Sequence, residues 1–309
     1  MTVATRQADA VLFVLLAMLW GSSYLVIRLA GTELDPLSLV ALRLVVGTIA
    51  LGVAVGVVRP GLPPRGAWRH LVVVGALGIA IPFSLITWSE RSVDSGLASI
   101  IIGATPLLSA LMVARSSIGE GVGIGRLLGL GLGFLGVVLV ASGGIRDGGD
   151  PHALAGLGLA AVSYAANAAY TRRHLGGVAP VTAAFGQAVA ALIIVGGLAL
   201  VLDAPVPVVP SPAVLGAALW LGVLPSALAP LIYFRLITRW GVTRTMMVNY
   251  LSPVVGVGAG VMVAGEVPGS MVLAGGAAVI LGLGLANAGS SLAAMRRSVV
   301  RPVTTAAGA

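Results

Sequence analysis

Ten apolar runs of about 18 residues or more follow one another along the chain, at 11–30, 36–58, 69–89, 95–114, 124–142, 153–171, 179–201, 212–234, 243–263 and 270–291. At the helical rise, ~20 residues cross a hydrocarbon core of about 30 Å. A backbone in lipid must satisfy its own hydrogen bonds, and for runs of this length that leaves the α-helix. Of the 309 residues, 58% are hydrophobic and 9% charged, so little chain remains outside the bilayer. An all-α membrane protein of ten transmembrane helices is expected.

The few charges sort by gap. Arginines fill the even gaps: Arg59, Arg65 and Arg69, then Arg115 and Arg126, then Arg172 and Arg173, then Arg235, Arg239 and Arg244, with Arg296, Arg297 and Arg301 after the last run. Acids fill the odd gaps: Glu33 and Asp35, Glu90 and Asp94, Asp147 and Asp150, Asp203, and Glu266. By the positive-inside rule both termini are cytoplasmic. The net charge of +8 therefore records topology, and no nucleic-acid partner is expected because the arginines do not form one face. Cysteine is absent, which excludes disulfides and thiolate metal sites. The first run follows Arg6 without a small-x-small cleavage site and reads as an uncleaved helix.

The chain also repeats itself. Residues 103–120, GATPLLSALMVARSSIGE, share a grammar with 250–266, YLSPVVGVGAGVMVAGE: a hydroxyl residue, proline, an apolar pair, a small-and-apolar run, then Gly-Glu. Pro106 maps to Pro253 and Glu120 to Glu266, offsets of 147 and 146. Pro36 with Arg43 maps to Pro180 with Gln187 at 144, and Pro82 to Pro230 at 148. The Gly- and Asp-rich junction SGGIRDGGDPH at 142–152 separates two units, 1–147 and 148–309, of five runs each. Five is odd, so the second unit enters the membrane inverted. Inverted repeats containing broken helices are a device of secondary transporters, whose solute site lies near the midplane between the repeats.

Taken together, WGSSYLVIR at 20–28, Pro36 with Arg43, the Ser92, Ser95, Gly96 and Ser99 series leading to Pro106-Leu107 and Gly119-Glu120, and its echo from Pro253 to Gly265-Glu266 resemble the drug/metabolite transporter superfamily, of the ten-helix EamA type, over essentially the whole chain. Within it the resemblance is nearest to bacterial exporters of aromatic and other amino acids. It implies two inverted five-helix repeats around a central cavity lined by spans three, four, eight and nine, with one and six contributing. It also implies a small-molecule solute, alternating access, a bacterial inner membrane, no cofactor and no metal. A monomer in the lipid bilayer is expected.

Candidate solute-binding residues are those that put polar or aromatic groups into spans: Trp20, Ser23 and Tyr24, Arg43, Ser84 and Trp88, Ser99 and Thr105, Tyr164 and Asn167, Tyr233, and Asn249 with Tyr250. Buried Tyr and Trp need a partner for the polar atom, supplied by another helix or by a cavity. Stacking surfaces with a few donors suit a solute with an apolar body and a polar end; interhelical hydrogen bonds are the other use for such groups. Candidate hinges are Pro82, Gly103, Pro106, Pro230, Pro253 and Gly256, because proline removes a backbone bond and glycine lets the helix bend. A static kink is the alternative. Arg43 lies inside a span, ~10 Å beyond Pro36, where an ionisable group marks function by default. It could attract a carboxylate, snorkel outward, or pair with Glu33, Asp35 or Glu90.

No carboxylate falls in the middle of a run, and Glu90, Glu120 and Glu266 all stand at run ends, the last two expected to orient loops. Proton coupling through a buried acid has no candidate on this reading, and efflux of hydrophobic cations, the rival substrate class, loses its usual partner. Small residues recur every fourth position in runs five and ten, Gly121, Gly125, Gly129 and Gly133, and Ala274, Ala278, Gly282, Ala286 and Ser290, predicting close helix approach within the monomer or across a dimer. An enzyme would need an acid, base or nucleophile at a site, yet His70, His152 and His174 lie at loops or run ends. GLGFLG at 131–136 satisfies a dinucleotide-binding spacing, but inside an apolar run it lacks the required strand and helix.

Overall fold

The computed structural model describes residues 3–31, 33–61, 63–109, 124–203, 210–240 and 245–299, and among them no strand occurs. A helix stands at each of the ten apolar runs: α1 Val3–Ala30, α2 Pro36–Val58, α3 Arg65–Ser89, α4 Ser95–Ser109, α5 Ile124–Arg146, α6 Pro151–His174, α7 Pro180–Leu202, α8 Pro212–Trp240, α9 Val248–Ala264 and α10 Ser270–Val299. Seven of them, α1 to α3 and α5 to α8, are long and apolar enough to cross a membrane; the apolar parts described for α4, α9 and α10 are shorter. Glu120 and the end of the fourth run lie outside the described residues.

Local chemistry sets the helix ends. Pro36, Pro151, Pro180 and Pro212 each occupy the first helical position, where the missing N–H is no loss and φ is already helical. Asp150 and Ser211 cap their helices through side-chain oxygens that accept from the backbone N–H groups of His152 and Val214. At the far end of α9, Gly265 takes the left-handed conformation, φ 66°, which glycine adopts without penalty.

Two helices are broken in matching ways. In α3 a π turn spans Ala76–Ala80, and Pro82 is the second residue of the α-helical segment that resumes there. In α8 a π turn spans Gly222–Leu228, and Pro230 is again the second residue of the resumed segment. Pro225 lies inside that second turn, a break the repeat comparison does not reveal. The freed carbonyls find hydroxyls, as proline in a membrane helix requires. Ser163 of α6 donates to the Leu77 oxygen at 2.7 Å, and Ser226 donates to the Leu221 oxygen at 2.7 Å.

Helices pack in exchangeable pairs. α5 lies along α10, α2 along α7 and α4 across α9. The contact of α1 with α9 is mirrored by α6 with α4, α1 with α8 by α6 with α3, and α2 with α8 by α7 with α3. The largest core cluster, including Ile86, Leu97, Ile100, Leu107, Leu157 and Leu221, is shared by both units. Outside it, Val57, Leu200, Val201, Met262 and Val263 are exposed on α2, α7 and α9, an apolar surface that lipid covers.

The seam between α5 and α10 is backbone on backbone. A methyl group placed on Gly136 would lie 2.6 Å from the Gly275 oxygen, and one on Gly282 would lie 2.4 Å from the Gly133 nitrogen. The seam thus runs within the chain and includes Gly129, Gly133 and Gly282 of the expected rows, while Ala274 falls outside it. Gly275, Val279 and Gly282 face α5, whereas Ala274 is exposed and a methyl on Gly125 would meet nothing. The row slips because 3.6 residues per turn carries a strict four-residue repeat around the helix. Ala286 and Ser290 have no described side chains, and Gly121 is outside the described residues.

Candidate functional site

The gaps that carry acids meet at one end of the bundle. Asp203 accepts from the backbone N–H of Ser38 at 2.7 Å and from its hydroxyl at 2.5 Å, Glu33 accepts from the Ser211 hydroxyl at 2.8 Å, and Arg91 pairs with Asp35 at 3.4 Å. Glu266 reaches across from α9 to the start of α4, accepting from the Ser95 N–H at 2.9 Å, the Ser95 hydroxyl at 2.7 Å and the Gly96 N–H at 2.9 Å. Its carboxylate therefore sits on the positive end of a helix 171 residues away, held also by Arg28 at 3.3 Å. Glu266, expected to orient a loop, also clasps the end of α9 to the start of α4. At the other end, Asp9 pairs with Arg239 at 3.0 Å, and His70 bonds the Tyr170 hydroxyl at 3.0 Å.

Between α1 and α3, at the acid-rich end, a cavity of about 440 Å³ opens over Ile27, Arg28, Gly31, Thr87, Glu90 and Arg91. Helical spacing continues its walls inward. On α1, Gly31, Arg28, Tyr24 and Trp20 follow on one stripe; on α3, Glu90, Thr87 and Phe83 do the same. The stripe on α1 descends ~16 Å from Gly31 to Trp20 at the helical rise.

Arg43 projects into this column from α2. It is 5% exposed, its Nε donates to the Ser226 hydroxyl at 2.8 Å, and its guanidinium lies 3.9 Å over the Phe83 ring. Ser226 thereby does two things at once: it satisfies the carbonyl freed by Pro225 and fixes the arginine. Snorkelling is thus not what Arg43 does, and the pairings with Glu33 and Asp35 are taken up by Ser211 and Arg91. No acceptor among the described residues meets its two terminal nitrogens.

Glu90 supplies a buried acid although, as expected, no carboxylate falls in the middle of its run. It stands at the end of α3, where the run ends, yet is only 3% exposed, and neither carboxylate oxygen has a hydrogen-bond partner among the described residues. Tyr24, Arg43 and Tyr164 share its electrostatic neighbourhood, so four helices bring ionisable or phenolic groups to one centre. Sequence could not give this, because burial at a helix end depends on which other helix covers it.

The remaining candidates divide between this column and its surroundings. Trp20 stacks obliquely on Tyr233 with centroids 5.4 Å apart, Ser23 donates to the Trp20 oxygen, and Tyr24, Tyr164 and Tyr250 pack against the shared core cluster. Tyr233 also meets Phe234, with centroids 5.9 Å apart. Asn167 lies against Gly78 in the π turn of α3, where a methyl group would meet its amide at 2.6 Å. Ser99 is buried on α4 and donates to the Gly96 oxygen at 2.7 Å; Thr105 donates to the Ile102 oxygen of its own helix, and Asn249 to the Met246 oxygen in the turn before α9. Ser84 is half-buried, while Trp88 turns away, 41% exposed and resting on Gly156 of α6.

Of the six expected hinges, Gly103, Pro253 and Gly256 meet where α4 crosses α9, while Pro82 and Pro230 lie in the broken α3 and α8. A methyl on Gly103 would lie 2.4 Å from Pro253, and one on Gly256 would lie 2.4 Å from Ser99. α4 is interrupted at Ala104, just before Pro106, whereas α9 continues through Pro253.

A helical membrane protein whose buried centre carries an arginine, a carboxylate and two tyrosines beneath an open cleft is built to handle a small polar solute, and its class is that of membrane transporters. The EamA-like transporter family matches this chain twice, over residues 9–142 and 153–288, and the chain belongs to it. A probable terminal-alkyne amino-acid exporter of Streptantibioticus cattleyicolor is 27% identical over 281 residues, covering 89% of this chain and 91% of that protein. The uncharacterized inner membrane transporter YedA of Escherichia coli K12 is 26% identical over 254 residues, 81% of each chain. A solved structure titled only as the crystal structure of a protein shares the fold, with a TM-score of 0.63 at 22% identity, covering 94% of this chain and 99% of that one. The family and these named relatives are transporters, not enzymes.

Proposed function

We propose that the protein is a secondary carrier that exports small amphipathic metabolites, amino acids including aromatic ones foremost, across the bacterial inner membrane by alternating access. The observation that carries this reading is Arg43, buried beside α3 with no acceptor among the described residues at its terminal nitrogens and its plane fixed by Ser226 and Phe83. A guanidinium held in that way suits a carboxylate bound through two parallel hydrogen bonds. The aromatic pair Trp20 and Tyr233 offers the apolar body a surface below it. Saturable uptake of radiolabelled phenylalanine into proteoliposomes, competed by unlabelled amino acids in a screen of all twenty, tests the reading. Absence of saturable flux for every amino acid overturns it.

The transport mechanism follows from a repeated architecture: ten spans as two inverted five-helix units, with both termini cytoplasmic and the chain a monomer. The exchangeable helix pairs support it, as does the family's separate match to each half. Because the chain has no cysteine, single introduced cysteines report sidedness cleanly. In intact cells, Asp147→Cys is expected to react with a membrane-impermeant maleimide, and Arg172→Cys to react only after permeabilisation. Equal labelling of both from outside would refute the topology.

The crossing of α4 and α9 supplies the moving part. Pro106→Ala and Pro253→Ala are each expected to slow transport about tenfold, a barrier increase of ~1.4 kcal/mol, while the yield of folded protein changes little. Initial rates normalised to reconstituted protein decide it; wild-type rates in both variants would make these prolines static kinks.

Efflux of hydrophobic cations is a second reading with one observation behind it, the buried carboxylate of Glu90. Competition of phenylalanine flux by tetraphenylphosphonium more strongly than by any amino acid would favour it.

A further inference from the structure

Arg43 and Glu90 are the two charged groups of the buried centre, and their surroundings leave complementary vacancies. Arg43 lies over Phe83 on the α3 stripe that leads to Glu90, and among the described residues no hydrogen bond reaches either oxygen of Glu90. Arg28, the other cation near Glu90, is committed to Asp94 and to Glu266 at 3.3 Å. Removing an ion from water without a partner is expensive, and a carboxylate so placed needs a cation or a proton. The arginine needs an anion for its unused nitrogens. Among the described residues no ion pair joins them; Arg43 rests on Phe83, seven residues or ~10 Å before Glu90 along α3, a gap that one small zwitterion hydrogen-bonded at each end spans.

We infer that Glu90 and Arg43 form a two-point site for the α-ammonium and α-carboxylate of a free amino acid, with Glu90, which lines the cleft, taking the ammonium on its unpartnered carboxylate. The proposal rests on the amino-acid reading above and adds to it a residue and a chemical rule. A solute lacking the ammonium leaves Glu90 unpaired, and a solute lacking the carboxylate leaves Arg43 unpaired. Unsatisfied buried charges penalise the wrong ligand more than good contacts favour the right one. Amines, deaminated acids and N-acylated amino acids are therefore poor solutes, whatever their side chain.

Dissociation constants read from intrinsic tryptophan fluorescence of the purified full chain test this with L-phenylalanine, 3-phenylpropionate and N-acetyl-phenylalanine. The wild-type protein is expected to bind phenylalanine at least about tenfold more tightly than either of the others, since a charged hydrogen bond is worth ~1.5–3 kcal/mol. In the Glu90→Gln variant that preference for phenylalanine over 3-phenylpropionate is expected to vanish, with the affinity for 3-phenylpropionate itself changed less than about threefold. The ratio is taken within one preparation, so it does not depend on how much of the variant folds. If E90Q gives no folded protein, Glu90→Asp, which keeps the charge on a shorter arm, is expected to reduce the preference while keeping its direction. A preference retained in full by E90Q, or wild-type protein that binds all three ligands alike, overturns the ammonium site while leaving amino-acid export standing. Failure of the wild-type protein to bind any amino acid removes the amino-acid reading and this site with it.

Discussion

Arg43→Ala is expected to lower the rate of amino-acid export about 30- to 100-fold at subsaturating solute, from the loss of ~2–3 kcal/mol of charge-assisted hydrogen bonding. The guanidinium is buried at 5% exposure and positioned by Ser226 and Phe83, so the solute meets a donor whose ordering has already been accomplished. Truncation removes the donor and also leaves Glu90 without its inner counter-charge. Arg43→Lys should recover only a fraction of the rate, because an ammonium cannot form two parallel bonds to a carboxylate while also reaching Ser226. Ser226→Ala keeps the charge and loses the anchor, and a reduction of about threefold to fivefold is expected. The ordering R43A below R43K below S226A, measured as initial flux per reconstituted protein, separates solute binding from packing. Undiminished amino-acid export by R43A would remove the arginine from the solute path.

What could be read from residues alone was the part governed by local chemistry. Helix positions followed from apolar length and from prolines at first helical positions, such as Pro36 and Pro180, and the breaks at Pro82 and Pro230 fell where the repeat placed them. Arg43 could be singled out because charge inside an apolar run is costly wherever it ends up. Glu90 could not. At the end of a run a carboxylate is ordinarily hydrated, and it is the packing of α6 and α2 against the last segment of α3 that removes it from water. Pro225 hid for the opposite reason: a proline among other prolines carries no mark that its freed carbonyl, on Leu221, would be the one that positions the Ser226 hydroxyl under Arg43. The pairing of Trp20 with Tyr233 was equally out of reach, because aromatic contact across helices depends on rotation about each axis.

The largest expected effect on the fold lies in the seam of α5 and α10. Gly282→Leu is expected to destabilise the protein by about 3 kcal/mol or more, since overpacking that cannot relax ranks among the more damaging single changes. Even a methyl group at this position would sit 2.4 Å from the Gly133 nitrogen and 2.6 Å from the Gly129 oxygen, and backbone atoms, unlike the tip of a side chain, cannot swing aside. The two helices would have to separate, which breaks the close approaches of Gly136 and Gly275 along the same seam. In lipid no hydrophobic effect draws the helices back together, because acyl chains are as apolar as leucine, so the lost van der Waals contact is uncompensated. Gly284→Leu, two residues on, is the matched control: that position is exposed and meets nothing within 4 Å, so the same added volume should leave stability unchanged. Thermal unfolding in detergent, with the monodisperse fraction on gel filtration, measures both. If Gly282→Leu instead altered the oligomeric state and spared the melting temperature, the small-residue row would belong to a contact between chains, and α5 and α10 would be free to part.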